Sequence, residues 1–585
     1  MKLYVVLLCG LSACGDSGNG RQLPDAAVAR IIVEPADVSV NIVDNAVVMQ
    51  PYTAHIVDDK GLNVDITAET TFTLHDPSYG SFAGATLTVN GQGAGPTRVE
   101  ASARGRTGDT GLTVFVKSTI TDPAAPGDAV TLFGNATEDT ALAPSIVYPL
   151  DKILVPPNLG QFDVHWNNNT ANTNNLFEVT MANQYVDIRL YTTGLTATNP
   201  QPFWAAYPPA AWYPIASSRQ QLTLRVAGLD KTKPATKGTA AVLHVDVTNE
   251  NAQGGIYYWT TSGLAGIWRY DVGHPETPPA PYFADAMRPA NCMGCHTLSR
   301  DGTKIAMTFD GGGGRGTVFN VADRKVLIPY DGVSQPALHW DFATFDAEAA
   351  KLVTIENSQM YLRALDGTMI TGPLPPVTTN ALATHPEISP DNKRLVNVEF
   401  TGGGYDAQAY NGSIVVRSFD AANNTFGAPT VLVPYAANAA NWYPSFSPDG
   451  EWIAFTRTNS YSYNDGSAQT WLVKADGSQP PIQLATADLT GSSFGSMTNS
   501  WARWVPFGQT FGPSNEPLFY LTFSTQRPFG VRIPGGRRPQ IWMTPVFPSR
   551  AAAGQDPSGN AFRVPFQDVN TANHIAQWTK SVVVQ

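Results

Sequence analysis

Cys292-Met293-Gly294-Cys295-His296 is the segment of the chain whose residue types and spacing point most directly to chemistry. Two thiols at this spacing can add across the two vinyl groups of a porphyrin. An imidazole placed directly after the second thiol can reach the iron from one side. The five residues therefore contain the whole attachment set for one covalent haem c, with Cys292 and Cys295 as thioether carriers and His296 as proximal ligand. Plainer uses of the same residues stay open. The pair could close a surface disulfide or be vestigial, or it could form half of a zinc site. Zinc wants four ligands, usually a second Cys pair or paired His. The other two of the chain's four cysteines, Cys9 and Cys14, lie near its start. A thioredoxin-like role would want a βαβ context, which the pattern around the motif lacks.

The elements that must position this motif are read from an internal repeat. Tyr443-Pro444-Ser445-Phe446-Ser447-Pro448-Asp449-Gly450-Glu451-Trp452-Ile453-Ala454-Phe455 matches His385-Pro386-Glu387-Ile388-Ser389-Pro390-Asp391-Asn392-Lys393-Arg394-Leu395-Val396. The motif itself continues in the same phrase, Cys295-His296-Thr297-Leu298-Ser299-Arg300-Asp301-Gly302-Thr303-Lys304-Ile305-Ala306-Met307. Weaker copies start at Phe342 and Trp504. Each copy reads as a strand, an Asp-Gly-type turn and a second strand with apolar residues at period two. The phrase Phe-Ser-Pro-Asp-Gly resembles the TolB-type β-propeller repeat. Leu298, Phe345, Ile388, Phe446 and Phe507 anchor five blades. A sixth is assembled from the ends: Gly255–Trp259 and Gly266–Tyr270 form a hairpin lacking an inner strand, which His574 to Val584 can supply. Such closure removes exposed sheet edges.

The repeat also ranks candidates for the iron's sixth position. His385 aligns with Cys295, so both belong to the same end of the propeller. His574 opens the proposed closing strand beside the motif's blade and is placed first, with His385 next and His339 third. Met287, in the loop before the motif, is a fourth option, and Met293, between the thiols, is badly placed to swing over the iron. Cytochromes c carry the motif on a helix in a small all-α domain. Here it opens a propeller strand, so resemblance to them assigns no sixth ligand. The glycine run 311–316 lacks the Lys-Ser/Thr ending of a phosphate loop and reads as a blade connection. Asp301, Asp391 and Asp449 read as turn residues before calcium ligands.

Ahead of the propeller the chain reads as a targeting segment and two sandwiches. Lys2, the apolar run Leu3–Leu11 and then Leu11-Ser12-Ala13-Cys14 resemble the lipobox of bacterial lipoproteins. That resemblance implies cleavage before Cys14 and a lipid on its thiol, with residues 14–29 as a tether. No later segment is apolar enough for a spanning helix. Residues 30–118 read as short alternating strands. Ile32-Val33-Glu34-Pro35 and Gly95-Pro96-Thr97-Arg98-Val99-Glu100-Ala101 resemble the opening and closing phrases of bacterial Ig-like domains. A linker over 119–144 leads to a second, fibronectin-like sandwich over 145–252. There Phe162, Val164 and Trp166 share one face, and His165 and His244 fall on the opposite, solvated one.

The bulk properties agree with this outline. A chain of 585 residues exceeds one core. Only 15% of residues are charged, while 51 Gly and 45 Pro imply many turns, as in an all-β protein. A net charge of −11 without any basic run argues against nucleic acid. The expectation is an all-β protein: a signal over 1–13, two sandwiches, and a six-bladed propeller over 253–585 with one haem c. It would be lipid-anchored in the cell envelope at the outer membrane, serving one-electron transfer or redox sensing with a partner protein. The alternative is a non-redox surface scaffold. No hydrolase or transferase motif is present, and a haem enzyme would need an open sixth position. The overall order resembles multidomain lipoproteins of environmental Gram-negative bacteria that pair TolB-like repeats with this motif, a resemblance that implies no particular reaction.

Overall fold

The computed structural model describes residues 30–57, 61–168, 173–196, 202–284, 293–330, 337–405, 408–492, 494, 496–533 and 538–582. Cys14, Met287 and Cys292 lie outside them. The chain divides into two compact units. The first, within residues 30–113, is a small β structure. Ile31–Glu34, Thr53–Val57 and Asn63–Asp65 make one sheet, and Val48–Pro51, Thr86–Val89 and Gly80–Ala83 another. Alternating strands such as Gly95–Ala103 bury Val99, Ala101 and Ala103 and expose the residues between.

The second unit begins with a sandwich. One sheet holds Leu222–Leu229, Leu176–Ala182 and Val186–Thr192 as neighbours, and the other holds Ser145–Tyr148, Phe162–Asn167 and Pro202–Tyr207. Period-two apolar residues put Trp166 against Phe177 (ring centroids 5.0 Å) and Phe162 flat on Trp212 (4.8 Å). Residues 116–121 pair in parallel with Val186–Thr192, and the helix Ala129–Asn135 seats Phe133 against Tyr191. The stretch read as a linker thus contributes packed structure.

His165 corrects the sequence reading. It is fully buried, not solvated, between Tyr148, Trp204 and Phe529, with Asp163 held by Arg532 beside it. Alternation identifies a polar face only where water covers that face, and here residues 529–532 of the propeller cover it. His244 is half-exposed, with Asp151 at 3.1 Å.

Six sheets follow, four of four strands and two of five, numbered here as blades 1–6. Their inner strands are Asn573–Thr579, Met293–Leu298, Ala343–Phe345, Leu382–Ile388, Ala440–Phe446 and Ser500–Trp504. Blade 1 is completed from the far end of the chain: Asn573–Thr579 pairs antiparallel with Gly255–Thr260, with Gly255 opposite Thr579 and Thr260 opposite Asn573. The closing strand ends at Thr579, short of Val584. The glycine run joins the second and third strands of blade 2, so it is a turn within a blade and not a connection between blades.

The repeated Ser-x-Asp phrase has a hydrogen-bonding cause. Ser299, Ser389 and Ser447 each donate through Oγ to the Asp two residues on (2.6, 2.5 and 2.5 Å). The same Oγ accepts from the backbone N–H of Lys304, Arg394 or Trp452 at 2.9–3.0 Å. Each turn is thereby tied to the start of the next strand, as a short polar side chain does best.

Blade 6 departs from the expected register. Trp504 pairs with Leu521 just as Leu298 pairs with Ile305 and Phe446 with Ile453, so Trp504, not Phe507, anchors this blade. The motif lacks its Ser-Asp turn here, and the extra strand Gln509–Phe511 folds back on Glu516–Thr525 instead.

Candidate functional site in the propeller channel

The inner strands share a local distortion. In blades 1, 2, 4, 5 and 6 two residues of the inner strand lie opposite one of its partner, for example Cys295 and His296 opposite Met307. The extra residue in each is left-handed: Ile575 (φ 54°), Cys295 (45°), His385 (47°), Tyr443 (52°) and Trp501 (56°). A bulge of this kind breaks the strand's alternation and re-aims one side chain. Blade 3, whose strand Ala343–Phe345 pairs without a shift and has no left-handed residue, supplies Phe342 at the matching position.

These residues converge. Tyr443 stacks on Trp501 at 3.7 Å between centroids, His385 lies 4.2 Å from Tyr443, and Phe342 lies 4.4 Å from His385. Ile575 belongs to the same buried cluster, and Cys295 packs against it. The result is a ring of one residue per blade across the channel. Beyond it, toward the Asp-Gly turns, opens a cavity of about 330 Å³. Its wall is polar: Thr297, Thr344, Glu387, Ser445, Arg503 and Gln577, each two residues after its ring position.

The structure brings together some of the residues singled out from the sequence. Cys295 and His385 both sit in the ring. His296 follows Cys295 but is only 2% exposed, with Nε2 3.4 Å from the Tyr257 carbonyl and Nδ1 without a partner. Burial pushes its imidazole down to about 4, so it is uncharged at neutral pH. His385 is buried among aromatic rings with neither nitrogen hydrogen-bonded, and the same loss of water holds it well below the ordinary histidine range. His574, one residue before Ile575, stacks on Trp259 (5.4 Å) and is pushed down to about 4 by burial. His339 lies apart from the cavity. It is exposed, and its Nδ1 is 3.0 Å from the Gly313 carbonyl.

A haem needs thiols for attachment and uncharged imidazole nitrogens for its iron. Cys295, His296 and His385 fit that donor set: among the described residues, His296 Nδ1 and both nitrogens of His385 lack the hydrogen-bond partner that buried polar atoms ordinarily find. His296 is nevertheless enclosed in its seat between blades 1 and 2.

Tyr443, Trp501, Glu387 and Arg503 were not picked out from the sequence. The signal was present: Trp501-Ala502-Arg503-Trp504-Val505-Pro506 matches Tyr443-Pro444-Ser445-Phe446-Ser447-Pro448 once the prolines are aligned. That alignment gives the ring column and, two residues on, the wall column.

The fold and this channel define the class, a six-bladed β-propeller carrying further β domains at its N-terminal side. No protein-family profile and no curated protein matches the chain. Solved structures of low similarity do. A TolB of Agrobacterium tumefaciens is 14% identical, covering 57% of this chain and 93% of that one, at a TM-score of 0.31. A nidogen/laminin complex is 8% identical over 57% and 99%, TM-score 0.34. The dihydro-haem d1 dehydrogenase NirN is 12% identical over 50% and 61%, TM-score 0.29. At these values the blade assignment rests on the strand pairing itself.

Proposed function

We propose that the chain is a c-type haem protein of the cell envelope, anchored by lipid at Cys14, with a propeller that presents one covalent haem for one-electron transfer or redox sensing. The observation that carries this reading is the set of buried, uncharged imidazoles beside Cys295. Among the described residues, His296 and His385 leave nitrogens unpartnered in a dry setting, where an unmade hydrogen bond costs about 1–3 kcal/mol. Iron ligation is a use for such nitrogens.

In this reading Cys292 and Cys295 hold the group covalently, and His296 offers the proximal nitrogen. His385, which lines the cavity, and His574, which stacks on Trp259 outside that lining, are the candidates for the other side, while the exposed His339 falls behind them. When bound, the group supplies one-electron exchange. The protein's own part is to keep the imidazoles neutral by excluding water and to surround them with Phe342, Tyr443, Trp501 and Trp259. A low-polarity shell of this sort is one of the levers a protein has on a haem potential.

The rival reading is a non-redox binding scaffold in which the two cysteines form a disulfide. It draws on the enclosure of His296 against the Tyr257 carbonyl. One experiment separates them. The chain is expressed with its own signal in a host with c-type cytochrome maturation, and the purified protein is extracted with acid acetone. A Soret band that stays with the protein, and that Cys295→Ala abolishes, supports the haem reading. A colourless protein under those conditions overturns it and leaves the scaffold.

A further inference from the structure

The cavity on the turn side of the ring has an unbalanced charge. Three cationic side chains face it, Arg300, Arg503 and Lys580, against two carboxylates, Asp301 and Glu387. Both carboxylates are already engaged. Asp301 accepts from Ser299 Oγ and from the N–H and Oγ of its own turn's Thr303. Glu387 Oε1 accepts from the Phe446 N–H (3.0 Å), from Ser445 Oγ (3.3 Å) and from Arg300 (3.5 Å). Arg300 also donates to the Ile388 carbonyl at 2.8 Å.

Arg503 is different. Its Nη1 donates to the Ala502 carbonyl at 2.9 Å, and it makes no ion pair among the described residues. Loss of water pulls its guanidinium below the ordinary arginine value, opposed by the more distant Glu387. Arg503 is half-buried and shares the charge of Glu387 with Arg300, so a ligand anion would complete a pairing that the channel's own carboxylates leave short. The setting favours one kind of anion. Phe342, Trp501 and Ile575, each at most 9% exposed, give the floor an apolar part, the two rings tilted 42° to each other, with Cys295 and His385 beside them. At the other end Lys580 stands exposed on the rim. The volume of about 330 Å³ is at the small end of ligand sites. In a chain of net charge −11, a cationic channel also concentrates anions locally.

We infer that this cavity binds a small organic carboxylate with an apolar body, the carboxylate on Arg503 and the body on the aromatic floor. A planar guanidinium matches a carboxylate through two parallel N–H donors. Inorganic phosphate matches the same fork but has nothing to lay on the floor. Cys295, His296 and His385 line this cavity as well, so a haem attached at the motif would share its space, and the inference is made for the chain without attached haem.

Sodium benzoate is the probe, titrated by calorimetry into the full-length protein produced without c-type cytochrome maturation and shown to be colourless, alongside benzamide and inorganic phosphate. Benzoate is expected to bind one site, benzamide at least tenfold more weakly, and phosphate more weakly than benzoate. Arg503→Gln is expected to weaken benzoate at least tenfold, and Lys580→Gln by less. Because Arg503→Gln changes a half-buried side chain of the channel, a second measurement needs no variant: benzoate should protect Arg503 of the wild-type protein from phenylglyoxal, read by peptide mass spectrometry, and benzamide should not. Absence of benzoate binding, equal binding of benzamide or of phosphate, or modification of Arg503 at the same rate with and without benzoate would each overturn the inference.

Discussion

Asp488 gives a prediction whose size follows from its surroundings. It is 2% exposed, accepts the Thr470 N–H at 2.7 Å through Oδ2, and leaves Oδ1 unpartnered. Burial pushes its carboxyl from 3.8 up to about 7, against the attraction of Arg527. The folded protein therefore keeps a proton that the unfolded chain gives up near pH 4. The stability this contributes is complete below about pH 4 and is lost as pH rises toward 7. A gap of roughly three units at about 1.4 kcal/mol each makes the full loss about 4 kcal/mol. About 2–3 kcal/mol of that falls between pH 5 and pH 8. Asp488→Asn keeps an oxygen for Thr470 and cannot ionise. Urea unfolding of both proteins at pH 5, 6, 7 and 8, subtracted pair by pair, removes contributions from His296, His385 and His574, which run the opposite way. The variant should gain on the wild type by about 2–3 kcal/mol across that range. A difference that stays constant with pH would refute the buried-acid reasoning.

Two further outcomes are expected. Trp578→Ala removes a nearly buried indole that donates to Thr522 Oγ1 (2.9 Å) and holds the closing strand to its neighbour blade. It should cost about 3–5 kcal/mol and speed proteolysis of blade 1, and an unchanged melting curve would sink the closure argument. Cys14→Ser should move the protein from the membrane fraction to the soluble one, since the anchoring reading places its whole membrane affinity on that lipid. Unchanged fractionation would count against acylation.

What could be read from the sequence follows from which interactions demand particular residues. The blade repeat was legible because its turn needs a serine oxygen and an aspartate at fixed spacing, as at Ser389 and Asp391. The sixth blade was legible because a hairpin without an inner strand needs a partner from elsewhere. The last blade's anchor was misplaced by three residues because its turn uses no such pair, leaving only Trp504 and Pro506 to mark the register. The ring was legible only as an alignment of Cys295 with His385. Of Cys, His, Tyr, Trp and Ile only His is enriched in the left-handed region, so the identities of these residues do not announce five bulges. His165 was misread because a strand's alternation cannot say what covers its second face.

The bulges have a consequence for how the channel's contents can be altered. Each left-handed residue drops out of the pairing ladder, so its identity is free of the pairing that holds the blade. Glycine would relieve roughly 1–2 kcal/mol at each such position, yet all five carry side chains, one of them the β-branched Ile575. The channel's composition is thus written in six sockets, Ile575, Cys295, Phe342, His385, Tyr443 and Trp501. Each can be exchanged without rebuilding the sheet beneath it. A thiol in one socket and an imidazole in another are separate choices on one frame, and a redesigned channel would need new letters at those places only.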